Sequence, residues 1–210
     1  MKRHLLDPQL SQKGYFPLDL SINNPFWKRN DVADISVCHE YIEQQRKSHD
    51  AYLGIGGYLE QRALYQKNER FNKGIVRDIH LGVDIWAPAG TTVHAMYDGV
   101  VHSYAHNSDP GNYGPTLILQ HDIEGQTIYT LYGHLSLDDV NKWEVGYRFR
   151  ESEIIAHLGT PQENGGYSPH LHFQVMTDMK GYQGDFPGVA AKEELEQYKD
   201  IVLDPMSFLE

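Results

Sequence analysis

Pro169-His170-Leu171-His172-Phe173 opens a run, continuing through Gln174 and Val175, in which apolar and polar residues alternate and strand formers predominate. It reads as a β-strand. Side chains two apart on a strand leave the same face, so the imidazoles of His170 and His172 stand side by side. Histidine is the commonest metal ligand and also a general acid or base near neutral pH. An isolated His-x-His is ordinarily a pair of surface histidines on an edge strand. What turns the reading is His80-Leu81-Gly82-Val83-Asp84, ninety residues upstream of His170.

Around these two stretches the texture is that of a β protein. From Ile79 onward, short apolar runs are bounded by Gly, Pro, Asn and Asp. They predict strands at Val83–Trp86, Thr92–Ala95, Gly99–Tyr104, Thr116–His121, Thr127–Leu131, Ile154–Leu158 and Leu171–Met176. Seven short strands with a turn signal about every ten residues suggest an all-β sandwich or barrel. The polar, Gly-rich stretches 107–112 and 162–166 are loops of the kind that wall a binding groove.

The flanks read differently. Residues 1 to about 30 carry Pro8, Pro17 and Pro25 with Phe16, Phe26 and Trp27, an extended arm expected to cover one end of a groove and to be dispensable for folding. From Asp34 to Asp50 the spacing is helical, with Ile35, Cys38, Tyr41 and Ile42 on an apolar stripe. His39 and Glu43 stand four apart there and read as a solvated pair. Tyr58–Tyr65 fits a strand or a helix, and Ala190–Ile201 reads as a C-terminal helix. The expected division is an arm with a helical extension over 1–74, a catalytic domain over 75–178, and a C-terminal extension over 179–210.

Composition narrows the partners. The chain has 210 residues, with 18 Lys plus Arg against 29 Asp plus Glu, a formal charge of -11. That disfavours nucleic acid or an anionic membrane as the main partner. Twelve histidines direct attention to metals, while a single cysteine, Cys38, excludes an intrachain disulfide and a cysteine-based zinc cluster. Met1-Lys2-Arg3-His4-Leu5-Leu6-Asp7-Pro8 begins like a signal peptide, but no apolar stretch of signal-peptide length follows. The expectation is a cytoplasmic protein. Oligomeric state is left open.

A catalytic zinc site takes three protein ligands from His, Asp or Glu and keeps one position open for water. Gly82 and the β-branched Val83 and Ile85 make His80–Asp84 a loop running into a strand. It therefore supplies two ligands from one local segment, with His170 or His172 as the third. Tyr132-Gly133-His134-Leu135-Ser136 adds a histidine where a strand meets a loop. His94, His102, His106, His121 and His157 read as structural histidines.

With those residues in hand, His80-Leu-Gly-Val-Asp84, Ala87-Pro-Ala-Gly-Thr91, Asp98-Gly-Val-Val101, Leu131-Tyr-Gly-His-Leu-Ser136 and Pro169-His-Leu-His-Phe173 resemble the lysostaphin/LytM-type zinc endopeptidases. Those enzymes cut peptide bonds in bacterial cell-wall peptides. The resemblance spans roughly residues 78 to 176 in family order. It implies a mainly antiparallel β-sheet core with a narrow metal-binding groove, and one zinc ion per chain. It also implies ligands His80, Asp84 and His172, and non-ligand catalytic histidines His134 and His170. Asn112–Thr116, Glu163–Gly166 and Gly184–Val189 are further similar to the version of this domain fused to class III aminotransferases and kinase-like domains. Some wall enzymes place a tyrosine just upstream of the first ligand; Lys73-Gly74-Ile75 offers no hydroxyl there.

The function expected from this reading is zinc-dependent hydrolysis of a short or cell-wall-type peptide, with His170 taking the proton of the attacking water and His134 assisting the oxyanion. The substrate is expected to be a small soluble peptide or muropeptide. A family member that only binds metal or activates a partner is the alternative, although such proteins usually lose ligands and none is lost here. A biotinyl-type or lipoyl-type carrier, suggested faintly by Thr91–Val101, needs a hairpin lysine where this chain has Tyr97-Asp98.

Overall fold

The computed structural model describes residues 4–31, 34–67 and 74–209. Lys73 lies outside them. The chain begins with a short helix α1 (Pro8–Ser11) and strand β1 (Tyr15–Pro17), followed by helix α2 (Ile35–His49), β2 (Leu53–Gly56) and a short helix α3 (Ala63–Lys67). The β-rich part runs β3 (Ile79–His80), β4 (Val83–Trp86), β5 (Thr92–His94), β6 (Gly99–Asn107), β7 (Gly114–Ile123) and β8 (Gln126–Gly133). It continues through α4 (Leu137–Val140), β9 (Arg148–Phe149), β10 (Ile154–His157), β11 (His170–Met176) and β12 (Val189–Ala190). A 3-10 turn at Lys192–Glu194, α5 (Leu195–Tyr198), β13 (Val202–Leu203) and a 3-10 turn at Pro205–Phe208 close the described chain.

The protein is mainly β, as expected, but its main element is one nine-stranded sheet rather than a sandwich or a barrel. The order is β1-β2-β4-β11-β8-β7-β6-β9, with β13 also pairing β11. All pairings in it are antiparallel except β1 with β2, where Tyr15–Pro17 runs parallel to Leu53–Gly56, so the sheet is mixed. Strands β6, β7 and β8 form a meander turned tightly at Glu124-Gly125, both in the left-handed region. Each predicted strand is present, with β6, β7 and β8 extending past their predicted ends.

The period-two pattern explains what lies on each face. Val83 and Ile85 of β4, Leu117 and Leu119 of β7, Tyr132 of β8, and Leu171, Phe173 and Val175 of β11 all enter the main core. The alternate positions Asp84, His170, His172 and Gln174 leave by the opposite face, yet are also buried. Polar groups in that position need partners, because an unpaired buried polar group costs ~1–3 kcal/mol.

The flanks depart from the expectations. Leu5 and Leu6 sit fully buried in the main core, and Phe16, Leu18 and Trp27 pack with Tyr41 and Ile42 of α2 in a second cluster. The arm is therefore part of the core, because alternating bulky apolar residues between its prolines bury well in extended chain. Helix α2 has the expected bounds: the Asp34 carboxylate accepts from Ser36 N at 2.9 Å, and Asp50 ends the helix in the left-handed conformation. Glu43, however, pairs with Arg46 rather than His39, since Arg46 is also within reach and carries a full charge. Tyr58–Tyr65 is neither strand nor helix throughout: a turn leads through a bridge at Arg62 into α3. The C-terminal helix is broken into a 3-10 turn and the single turn of α5, because Ala190 is held in the β12–β3 ladder. Among the described residues, no helix is long and apolar enough to cross a membrane.

Candidate metal centre

Strand register assembles the site. Asp84 of β4 is directly opposite His172 of β11, and His172 is in turn opposite Gly133 of β8. His134 follows immediately where β8 ends, and His80 enters from the adjacent β3. Asp84, His172 and Gly133 thus lie along one row across three neighbouring strands, with His134 one residue beyond its end. His134 has φ +62, a conformation costing a non-glycine residue of order 1–3 kcal/mol. Its backbone is held there by Nα–H donation to Tyr113 O at 2.8 Å and by Gly159 N donating to its carbonyl at 2.9 Å.

His80, Asp84 and His172 are only 1%, 2% and 3% exposed, and their candidate ligand atoms all lie within 4.8 Å of one another. His80 Nε2 is 2.9 Å from His172 Nδ1, and Asp84 Oδ1 is 3.1 Å from His172 Nδ1 and 3.4 Å from His80 Nε2. The outer nitrogens decide the tautomers. His80 Nδ1 is 2.9 Å from Gly57 O, which only accepts, so that nitrogen carries the proton. His172 Nε2 is 3.1 Å from Gln174 Oε1. Gln174 in turn donates its amide to Pro187 O at 3.2 Å, which fixes the amide so that its oxygen faces the ring. His80 Nε2, His172 Nδ1 and Asp84 Oδ1 therefore converge on one point as three candidate ligand atoms, with the outer ring nitrogens facing Gly57 O and Gln174 Oε1. A cation satisfies that arrangement, and two imidazoles with one carboxylate suit zinc. Close packing guards the spot: a Cβ on Gly82 would lie 2.8 Å from His172 Cε1.

The electrostatics keep His80 and Asp84 in binding form. Burial, then the Arg62 charge, pushes His80 down to about 4, so its ring is neutral. Burial opposes the Asp84 charge, but the His80 ring and the Arg62 guanidinium outweigh it and hold the carboxyl well below its usual range. Arg62, itself 1% exposed, binds Asp84 Oδ2 through Nη1 and Glu60 Oε2 through Nε at 2.8 Å.

His134 and His170 stand beside this set with ring centroids 4.1 Å apart. Each donates Nδ1–H to a carbonyl, His134 to Asn164 O at 2.7 Å and His170 to Ser168 O at 2.8 Å. Burial, then the other ring, holds His134 well below its ordinary value, and burial also lowers His170. His170 Nε2 is 3.9 Å from Asp84 Oδ1, and its ring stacks on Trp86 at 5.6 Å. All five histidine and aspartate positions singled out in the sequence thus meet at one place. His94, His121 and His157 hydrogen-bond elsewhere, to Ser152 O, Asp98 O and Asp139 respectively.

The cluster floors a groove of about 350 Å³. Tyr113, Tyr167, Phe186 and Trp86 line it, together with Leu20 of the arm and Cys38 of α2. Gly74 and Ile75 carry no hydroxyl, but tyrosines arrive from other parts of the chain. Tyr113 and Tyr167 donate their hydroxyls to Phe186 O and Gly111 O. Tyr65 packs beside His80 and accepts from Arg62 Nη1 at 3.3 Å. His39 turns from Glu43 toward Ser168 Oγ, 3.3 Å away.

Residues 78–184 match the model of Peptidase family M23. The chain belongs to this family. Among curated relatives, the DD-carboxypeptidase/endopeptidase Mpg of Neisseria meningitidis serogroup B is 33% identical over 97 residues, 46% of this chain and 20% of that protein. The peptidoglycan DD-endopeptidase ShyC of Vibrio cholerae is 33% identical over 99 residues, 47% of this chain and 20% of that protein. The chain thus spans about a fifth of the length of these relatives. The catalytic domain of the antimicrobial peptidase lysostaphin from Staphylococcus simulans aligns at 24% identity with a TM-score of 0.43, covering 66% of this chain and 85% of that domain. The M23 match covers the stretch that carries His80, Asp84 and His172, the His/Asp cluster whose donor atoms could hold a metal ion.

Sequence reading had missed the groups that orient these residues: Gly57, Arg62, Asn164, Ser168 and Gln174. Gln174 carried a signal, since it continues the period-two face of His170 and His172. Arg62 carried none, because its approach to Asp84 depends on a turn with no local pattern.

Proposed function

We propose that this protein is a zinc-dependent endopeptidase holding one zinc ion on His80, Asp84 and His172 and cleaving short, soluble, cell-wall-type peptides. The observation that carries the reading is the buried convergence of three candidate donor atoms within 4.8 Å of one another, next to two histidines whose Nδ1 atoms are engaged by backbone carbonyls. Zinc in such a set supplies Lewis acidity and lowers the pKa of a water toward ~7.

The chain's own residues do the rest. With Nδ1–H committed to a carbonyl, each of His134 and His170 offers a lone pair at Nε2, so each neutral ring accepts a proton before it can donate one. We assign the first proton to His170, because the nearby Asp84 carboxylate stabilises the imidazolium. Protonated His170 then donates to the atom that gains charge or leaves. An oxyanion role for His134 needs a proton at Nε2, which its burial and the neighbouring ring oppose. The role we propose for it is to accept from the attacking water and orient it. The groove's aromatic walls exclude water and suit an extended peptide.

The similarity to Mpg, a DD-carboxypeptidase/endopeptidase, and to ShyC, a peptidoglycan DD-endopeptidase, supports peptide substrates of the cell-wall type. The charge of -11 supports soluble peptides over an insoluble anionic polymer, which it would repel, and we propose a cytoplasmic site of action. The test is to give the zinc-loaded protein short peptides, soluble muropeptides and purified sacculi in parallel. Cleavage of the soluble set, lost on chelation and restored by zinc, is expected. Solubilisation of sacculi with no cleavage of the soluble set would overturn the substrate assignment. One bound zinc with no cleavage of anything would favour the non-catalytic, partner-activating reading.

A further inference from the structure

The segment leading from β2 to α3, residues 56–62, lies outside the stretch matched to the family, yet it touches two of the three candidate ligands. Gly57 O takes the His80 Nδ1 proton, and Arg62 Nη1 binds Asp84 Oδ2. The segment is itself held in place: Arg62 N donates to Asp78 O at 2.8 Å, His80 N to Glu60 O at 2.9 Å, and Leu59 N to His80 O at 2.8 Å. Glu60 binds Arg62 Nε through one oxygen and accepts from Leu20 N at 3.1 Å through the other. The guanidinium carbon lies 5.9 Å from the ring centroids of both Tyr65 and Trp86. Gly57, at φ +97, approaches the guanidinium so closely that a Cβ there would collide with Nη2.

We infer that Arg62 is a positioning residue for the metal: by occupying Oδ2 of Asp84 it leaves Oδ1 alone to face His80 and His172, so that the 56–62 turn completes the site. The inference rests on the zinc reading above. Two physical effects of this arginine oppose one another. As a bare positive charge beside the cation it repels the metal, and its removal would tighten binding. As a clamp it keeps a buried carboxylate in one orientation with one oxygen engaged, and its removal would free Asp84 to rotate or to present both oxygens. The fixed geometry of the guanidinium fork, held on its other side by Glu60, favours the clamp.

The experiment uses the full chain and compares the native protein with Arg62→Met, Arg62→Lys and Glu60→Gln. Zinc affinity is read by competition with a chromophoric chelator, and ligand geometry by the visible absorption of the Co²⁺-loaded protein. The expected result is zinc binding 10- to 100-fold weaker in Arg62→Met, with an altered Co²⁺ band and a partial return of both in Arg62→Lys. If Arg62→Met does not fold, Glu60→Gln reads the same clamp, and a smaller change in the same direction is expected. Affinity equal to or tighter than native, with a native Co²⁺ band, would overturn the inference. His172→Ala separates this from failure of the underlying reading: the native chain must take up one zinc that His172→Ala loses.

Discussion

At the scale of single residues, burial and hydrogen bonding set which histidines are neutral and which nitrogen carries the proton. Four of the five chemistry-bearing residues were legible because their spacing is local, His80 to Asp84 and His170 to His172, and His134 because it stands where a strand meets a loop. Their partners were not, since Gly57 O, Asn164 O and Ser168 O are backbone acceptors brought in by loops. His121 illustrates the same physics away from the site. Its Nδ1 donates to Asp98 O and its Nε2 accepts from Thr130 Oγ1 at 2.7 Å, and burial lowers its pKa. A depressed folded value means the unfolded chain binds the proton more readily. The stabilisation is therefore complete above the unfolded value of about 6.5 and is lost as pH falls through the folded value. Thermal midpoints measured from pH 8 to pH 5 should fall on acidification, and His121→Asn should flatten that fall. An identical slope in the variant would contradict this account of His121.

At the scale of elements, strand register does the assembling. The Asp84–His172–Gly133 row follows once β4, β11 and β8 are neighbours, and each strand was readable from its period of two. Their order in the sheet was not, because pairing between β4 and β11 is a contact over almost ninety residues. The 159–167 loop acts as a second element of the site. Asn164, fully buried, bonds Tyr167 through both ends of its amide, at 3.1 Å to the carbonyl and 2.9 Å from the amide nitrogen, while its own carbonyl orients His134. Asn164→Ala should leave bound zinc near one per chain while turnover falls about 10- to 100-fold, through a displaced His134 and Tyr167. The lost buried bonds should cost about 1–3 kcal/mol of stability. Loss of zinc in proportion to activity would place the loop's effect on the ligands instead.

At the scale of the whole molecule, the N-terminal segment is continuous with the sheet and with the groove. Prolines and scattered aromatics suggested an arm laid over a finished core. They carry no period that reveals Leu5 and Leu6 inside the main core, or β1 extending the sheet. Truncating a fully buried leucine costs about 2–5 kcal/mol, and a whole domain is stable by only about 5–15 kcal/mol. Removing residues 1–30, with Leu5, Leu6, Phe16 and Leu18, should therefore abolish the cooperative thermal transition rather than broaden substrate range. A soluble truncation with a native circular dichroism melt would contradict that. The central claim is that three residues hold the metal while the histidines beside them move protons. It is tested most directly by zinc per chain, measured by elemental analysis, in the native protein, His170→Ala and His172→Ala. The account predicts a value near one for the native protein and for His170→Ala, whose turnover drops by about 100-fold or more, and a value near zero for His172→Ala. Equal loss of zinc from both variants would contradict it.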